Sequence, residues 1–335
     1  MGEESKIPVP SKAKSSGSSL FERAEGAFDL GGAFTPAPVP QGLSPKRPVP
    51  PAPAAPAFVA EPVSVPQPSP ITDRPPEIAA PAAPAQPARF PGVKHHIDRA
   101  HLREQGLIEP EGAVTTLLEE FRIVKRQLLQ SAREGHHAGD VHNAQRVLIC
   151  SPLPGEGKTF CATNLALAIA AEKDSEVLLV DADFAKPSVL SVLGLPGGPG
   201  LMDALADPSI RVEDCVLGTD IPGLWVLPAG NQTTSDSEFL SSNRTAQVLD
   251  RLTQGAPNRM VIFDSPPALA ASPAAELAKY VGQAVLVVRA DSTGQSAIED
   301  ALHLLAGCPD IKLLLNAALF SPSGRRFGSY YGYGG

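Results

Sequence analysis

Residues 146–172 read RVLICSPLPGEGKTFCATNLALAIAAE, and the pattern changes character twice within that stretch. RVLICS is a short apolar run of the kind that makes a buried strand. TFCATNLALAIAAE, from Thr159, reads as a helix. The segment between them cannot continue either element, because it holds Pro152, Pro154, Gly155 and Gly157. Glycine lets backbone N–H groups turn toward a common point. The helix that follows aims its unpaired N–H groups and partial positive charge at the same place. A strand, a glycine loop and a helix in that order form a cradle for an anion. A plain glycine turn at a helix start would also read GEGKT, but the strand before it favours the cradle.

The residues downstream repeat the alternation. VLLVDAD, LWVLPAG, RMVIFDSPP, QAVLVVRA and IKLLLNAAL read as strands. GLMDALAD, SEFLSSNRTAQVLDRLTQG, Ala274–Tyr280 and Gln295–Ala306 read as the helices between them. Strands that are apolar on both faces and alternate with helices predict an α/β fold: a P-loop NTPase-type parallel sheet with helices on both faces. Ligands of such sheets bind beyond the carboxyl ends of the strands.

The chemistry falls there. Gly155, Glu156, Gly157, Lys158, Thr159 and Phe160 form the candidate ATP-binding loop, matching the second half of a Walker A pattern, with Pro152 in place of its first glycine. Lys158 is placed to contact the β- and γ-phosphates, and the Thr159 hydroxyl to hold Mg²⁺. Asp181 and Asp183 end one strand and Asp264 ends another. Strand-end carboxylates often only cap turns, but three of them share a sheet with a phosphate loop here. Asp183 and Asp264 are the candidate Mg²⁺ ligands beside Thr159, and Asp181 is the candidate proton acceptor. Lys158, Asp181, Asp183 and Asp264 make up the candidate catalytic set.

The rest of the chain sets limits. More than half of the 36 prolines precede Val93, so residues 1–93 are expected to be a disordered Pro/Ala-rich arm. Order is expected to begin near Ile97, with a globular P-loop domain over 94–320 and a flexible tail over 321–335. A helix is predicted over 115–131, from Leu117, Phe121, Val124 and Leu128, with Thr116 and Glu119 as its capping box. The formal net charge of -8 argues against nucleic acid as a partner. No stretch reaches the roughly 20 apolar residues that span a bilayer. The start of the chain lacks the layout of a signal peptide. The four scattered cysteines show no metal-ligand spacing and read as reduced core residues of a cytosolic protein.

SPLPGEGKTF, VDADFAKPS and FDSPP together resemble the Walker A, A′ and B motifs of the bacterial tyrosine kinases. EEFRIVKR, DADFAKPSVL and RRFGSYYGYG are most similar to the exosortase-associated tyrosine autokinases of exopolysaccharide clusters. The resemblance covers roughly Ile97 to Gly335. It implies an ATP- and Mg²⁺-dependent protein-tyrosine kinase that phosphorylates its own C-terminal tyrosines and regulates exopolysaccharide production or export. It also implies a homo-oligomer, an opposing phosphotyrosine phosphatase, and a location at the inner face of the membrane. Many relatives fuse the kinase to a transmembrane activator, so a separate transmembrane activator or polysaccharide co-polymerase is expected as partner. Two positions depart from the family pattern. Ala185 and Lys186 follow the A′ acids where arginine is usual, and Lys125 stands at the third position of the E-x-x-R-x-x-R oligomerisation motif after Glu119 and Arg122. Lysine keeps that charge and loses the bidentate fork.

The tail fits this reading. Tyr330, Tyr331 and Tyr333, the candidate phosphoacceptors, are three of only four tyrosines, and Gly332 separates the first two from the third. From Leu319 to Tyr330 an extended chain spans roughly 35–40 Å, enough to reach a neighbouring copy. The nearest rival is a ParA- or MinD-like positioning ATPase with the same motifs. Its loop carries an extra lysine five residues before the Walker lysine, where this chain has Leu153. A third reading is a nucleotide-regulated scaffold that recruits partners through the proline-rich arm.

Overall fold

The computed structural model describes residues 88–140, 143–233 and 235–318. Most of the proline-rich arm and the tyrosine tail lie outside the described residues.

The described residues build an eight-stranded sheet. Its strands are β1 (Lys94–His95), β2 (Arg146–Cys150), β3 (Glu176–Asp181), β4 (Leu217–Thr219), β5 (Leu224–Leu227), β6 (Arg259–Asp264), β7 (Gln283–Arg289) and β8 (Ile311–Asn316). Their order across the sheet is β1-β4-β5-β3-β6-β2-β7-β8. Every pairing is parallel except β4 with β5. That antiparallel pair departs from the all-parallel expectation. Its cause is the short link from Thr219 to Leu224, which turns at Gly223 with φ +77° and makes a tight hairpin rather than a helical crossover.

The helices are α1 (Arg99–Glu104), α2 (Thr116–His137), α3 (Lys158–Ala170), α4 (Val189–Leu193), α5 (Leu201–Ala206), α6 (Asp236–Leu240), α7 (Asn243–Thr253), α8 (Pro273–Leu277) and α9 (Gln295–Leu304). The central strands alternate their side chains between two cores. Leu148, Leu178, Val180, Phe263 and Leu286 face one side, with Leu249 of α7. Val147, Ile149, Leu179, Ile262 and Val285 face the other, with Leu165 and Ile169 of α3. Because both faces are covered, the strands are continuous apolar runs. α3 is buried from Cys161 to Ala170, since it lies between the sheet and α2. This explains why its sequence is apolar on all sides.

α2 runs six residues beyond the expected 131, and its N-cap is Thr115, whose hydroxyl accepts from the Leu118 N–H at 3.2 Å. The expected cap, Thr116, is the first helical residue. Glu119 and Arg122 pair on its surface. Lys125 turns inward instead: it is 5% exposed, donates to the Ala168 carbonyl at 3.1 Å and pairs with Glu172 at 2.6 Å. The third position of the E-x-x-R-x-x-K pattern is therefore engaged within its own chain.

Order also begins before Ile97. Phe90 packs edge-on against Trp225 with ring centroids 5.3 Å apart, and the Arg259 guanidinium lies 4.1 Å from the Phe90 ring centre. The single helix expected around SEFLSSNRTAQVLDRLTQG is two helices, α6 and α7. The Thr245 hydroxyl and the Ser242 N–H both bond the Phe239 carbonyl and close a turn between them.

Candidate functional site

Strand order explains why the candidate residues meet. β3, β6 and β2 are adjacent, so their carboxyl ends open at one place. The register puts Asp181 level with Asp264, and Asp264 level with Ile149, one residue from the end of β2. The loop between β2 and α3 turns on Gly155 at φ +81° and Gly157 at φ +94°. These left-handed angles suit glycine and turn the loop back over the first turn of α3.

Lys158 and Thr159 open α3 and point at the strand ends. Lys158 Nζ donates to Asp183 Oδ2 at 2.7 Å. The Thr159 hydroxyl donates to Asp264 Oδ2 at 2.6 Å and lies 3.3 Å from the Ser188 hydroxyl. Asp264 is fully buried, and its Oδ1 has no hydrogen-bond partner. Burial pushes its carboxyl up to about 7, against the pull of Lys158 and the Thr159 hydroxyl. Asp181 is raised to about 6, again by burial first, while backbone donors oppose the shift. Its Oδ2 accepts from the N–H groups of Ser188 and Val189, both at 2.9 Å, and its Oδ1 from the Asp183 N–H at 3.3 Å. Asp181 thus fixes the A′ loop against the start of α4.

Four of the sequence candidates, Lys158, Thr159, Asp183 and Asp264, converge directly. Glu156 and Phe160 do something else with their side chains. Phe160 packs into the apolar cluster beneath the loop. Glu156 is 5% exposed; it accepts from the Leu153 N–H at 2.8 Å and from the Thr293 hydroxyl. Its carbonyl takes the Asn316 amide at 2.8 Å, and the Arg289 guanidinium reaches the Gly155 carbonyl at 3.4 Å. Thr293, Asn316 and Arg289 therefore brace the loop, and sequence reasoning missed them. Asn316 had a signal, because it ends a strand at the ligand edge as Asp264 does. Thr293 sits in a polar turn and had none. Tyr330, Tyr331 and Tyr333 lie outside the described residues.

The site suits a nucleotide and a hard cation. The loop offers backbone N–H groups, a helix N-terminus and one lysine to phosphates. Thr159, Asp183 and Asp264 are oxygen donors, and the unpartnered Oδ1 of Asp264 has a lone pair to give. Among the described residues no group of three or more His, Cys, Asp or Glu forms a self-sufficient metal cage. Mg²⁺ does not need one, since it is held by one or two carboxylates together with phosphates and water.

No family model matches the chain. The tyrosine-protein kinase YwqD of Bacillus subtilis (strain 168) is 34% identical over 189 residues, which cover 56% of this chain and 77% of that one. The chain belongs to the bacterial tyrosine kinases. A second family member, the tyrosine-protein kinase ptk of Acinetobacter johnsonii, is 32% identical over 157 residues, 47% of this chain. The match spans about a fifth of that relative, 21% of its length. Among solved structures, the chimerical protein CapA2B2 superposes with a TM-score of 0.52 at 26% identity, covering 67% of this chain and 93% of that one.

The candidate site lies at the carboxyl ends of the strands, where ligands of open α/β sheets bind, and not in the cavity at the opposite end of the sheet. That cavity, about 960 Å³, opens at the amino ends of β3 and β6 between Phe90, Trp225 and Arg259. It has neither the glycine loop nor the paired carboxylates. The four cysteines are free and buried, and burial pushes the Cys150 and Cys161 thiols up to about 12, so they are inert packing residues. Among the described residues no helix is long and apolar enough to cross a membrane.

Proposed function

We propose that the chain is an ATP- and Mg²⁺-dependent protein-tyrosine autokinase whose acceptors are its own Tyr330, Tyr331 and Tyr333. The observation that carries this is the convergence of Lys158, Thr159, Asp183 and Asp264 at the ends of three adjacent strands. The Gly155–Thr159 backbone holds the phosphates, and Lys158 balances charge on the β- and γ-groups. Thr159, Asp183 and Asp264 hold Mg²⁺, which when bound neutralises charge that develops between the phosphates. Little covalent chemistry is then left to the protein, and positioning matters most. A phenol has a pKa of about 10, so it must give up its proton as it attacks. Asp181, raised to about 6, is suited to accept it through Oδ1, the oxygen with the longer backbone contact. Each phosphate adds about -1.5 to -2 charges to the tail, which then leaves an acidic site readily.

The setting is proposed from the family resemblance. It comprises exopolysaccharide production or export, a separate transmembrane activator, an opposing phosphatase, and recruitment to the inner face of the membrane. Transfer runs mainly between copies. The test mixes two variants: Lys158→Met, inactive with an intact tail, and Tyr330/Tyr331/Tyr333→Phe, active without acceptors. Phosphotyrosine on the Lys158→Met chain, at a rate that rises with protein concentration, supports the proposal. An unlabelled mixture excludes transfer between copies, and full autophosphorylation of Lys158→Met alone removes the phosphate-loop assignment.

A further inference from the structure

The cavity at the amino ends of β3 and β6 takes no part in the phosphate site and has a chemistry of its own. At about 960 Å³ it lies at the upper end of the range for ligand pockets, so it has room for more than one side chain. Two aromatic rings line it, Phe90 and Trp225, together with Pro222, Pro257 and the turn between α3 and β3. Trp225 stays only half-buried although Phe90 packs against it. Aromatic-lined grooves take proline-rich chains, because the polyproline II form is preformed and loses little entropy on binding.

A short piece of extended chain is already held at this cavity. Ala88 is buried, and Ala88–Pro91 forms neither helix nor strand. The Phe90 ring meets both Trp225 and the guanidinium of Arg259. Arg259 is 6% exposed; its Nη2 donates to the Ala88 carbonyl at 3.5 Å, and Glu176 balances its charge at 3.0 Å. A buried, paired cation thus holds the ring and a carbonyl of the same segment.

The sequence that leads into Ala88 continues the pattern. Ile78, Pro81, Pro84 and Pro87 lie outside the described residues, and with Phe90 they recur at every third position. Polyproline II has three residues per turn and rises about 3.1 Å per residue. In that form these five side chains fall in one line, and the line ends on the ring that is docked. Pro87 and Pro84 stand roughly 9 and 19 Å from Phe90 along it. The positions between are all alanine except Gln86 and Arg89. No residue from Ile78 to Ala88 is charged, so this segment brings no unpaired charge into an apolar cleft.

We propose that this cavity is a polyproline groove whose occupant is the chain's own segment Ile78–Pro87, docked along its Ile78, Pro81, Pro84 and Pro87 face with Phe90 as the fixed end. This accounts for a tryptophan left half-covered by its one aromatic neighbour. It also accounts for a buried arginine turned to the carbonyl of a segment that has no strand partner. Alanine off the line keeps the chain slim enough to lie close to the walls.

Trp225 is the only tryptophan, and the four cysteines are free and buried, so the full chain carries its own reporter and accepts one added thiol label. Acrylamide quenching of Trp225 and the anisotropy of a fluorophore on Ala82→Cys are compared between the parent chain and three variants. Pro84→Ser with Pro87→Ser breaks the line. Ala80→Ser with Ala83→Ser alters a different face of the same segment. Asn258→Lys puts a charge on an exposed lining residue and leaves the arm alone. Expected in the parent are a protected Trp225 and a label that tumbles with the domain. The Pro84/Pro87 and Asn258 variants should lower the docked-to-free ratio about tenfold, which is roughly 1.4 kcal/mol of lost contact. The Ala80/Ala83 variant should match the parent, with the same circular dichroism throughout. If Asn258→Lys fails to fold, the two arm variants carry the comparison. Equal quenching and anisotropy in the parent and the Pro84/Pro87 variant, a label indifferent to Asn258→Lys in a folded chain, or an equal loss in the Ala80/Ala83 variant would each overturn the proposal. Protection that grows with protein concentration would assign the groove to a second copy's arm and overturn docking within the chain.

Discussion

The phosphate loop offers a quantitative test through its two left-handed glycines. Gly155→Ala and Gly157→Ala both force an L-residue into the positive-φ region, at φ +81° and +94°. That alone costs about 1–2 kcal/mol. The surroundings then separate the two positions. A Cβ on Gly155 meets nothing within 4 Å. A Cβ on Gly157 would stand 2.2 Å from Asn316 Nδ2, which must move away. That amide donates to the Glu156 carbonyl at 2.8 Å, and losing the bond costs a further ~0.5–1.5 kcal/mol. Gly155→Ala should therefore destabilise by about 1–2 kcal/mol, and Gly157→Ala by about 1.5–3.5 kcal/mol. Urea denaturation monitored by circular dichroism reads both, with an unchanged slope showing that stability alone has shifted. Asn316→Ala supplies the control: in that background the two alanine variants should become nearly equal. A Gly157→Ala protein as stable as Gly155→Ala would refute the bracing of the loop by β8.

Other consequences follow from the same geometry. Asp264 titrates near 7 when folded, well above its ordinary value, because burial disfavours its charge. Its contribution to stability is therefore full below about pH 4 and is lost as pH rises through 7. Asp264→Asn should be more stable than wild type at pH 8, by on the order of 2 kcal/mol, with the gap closing toward pH 5; thermal melts across that range check the sign, and Mg²⁺-dependent transfer should be lost in the same variant. Truncation to start at residue 91 should lower stability relative to a start at residue 87, by about 2 kcal/mol, because it deletes the Phe90 ring from Trp225 and Arg259. Lys125→Met should leave self-association unchanged, since Lys125 pairs with Glu172 inside the chain; sedimentation velocity would reveal any dissociation.

The centre of the fold was legible because its signals are long. Val147–Cys150 and Val177–Val180 are uninterrupted apolar runs, and α3 begins at a glycine loop. The edges were not. β1 has two residues and β4 three, too few to show a period, so the β4–β5 hairpin was invisible. Phe90 sat among prolines whose composition outweighed one aromatic side chain. The α6–α7 break depends on side-chain bonds from Thr245 and on backbone closure at Ser242, neither of which a hydrophobic pattern records. At the site, the acids were readable because charge at the end of an apolar strand needs a reason. Asn316 and Thr293 are uncharged, and their roles appear only when β8 and the turn after β7 are seen to meet the loop.

The most direct measurement of the central claim is the destination of the γ-phosphate. The wild-type chain is incubated with γ-labelled ATP and Mg²⁺, and the products are divided into free phosphate and phosphopeptides located by tandem mass spectrometry. The account predicts label on Tyr330, Tyr331 and Tyr333, absent when Lys158 is replaced by Met. Label released wholly as free phosphate, as expected of a positioning ATPase, or label placed mainly on Tyr280 in the folded domain, would contradict it.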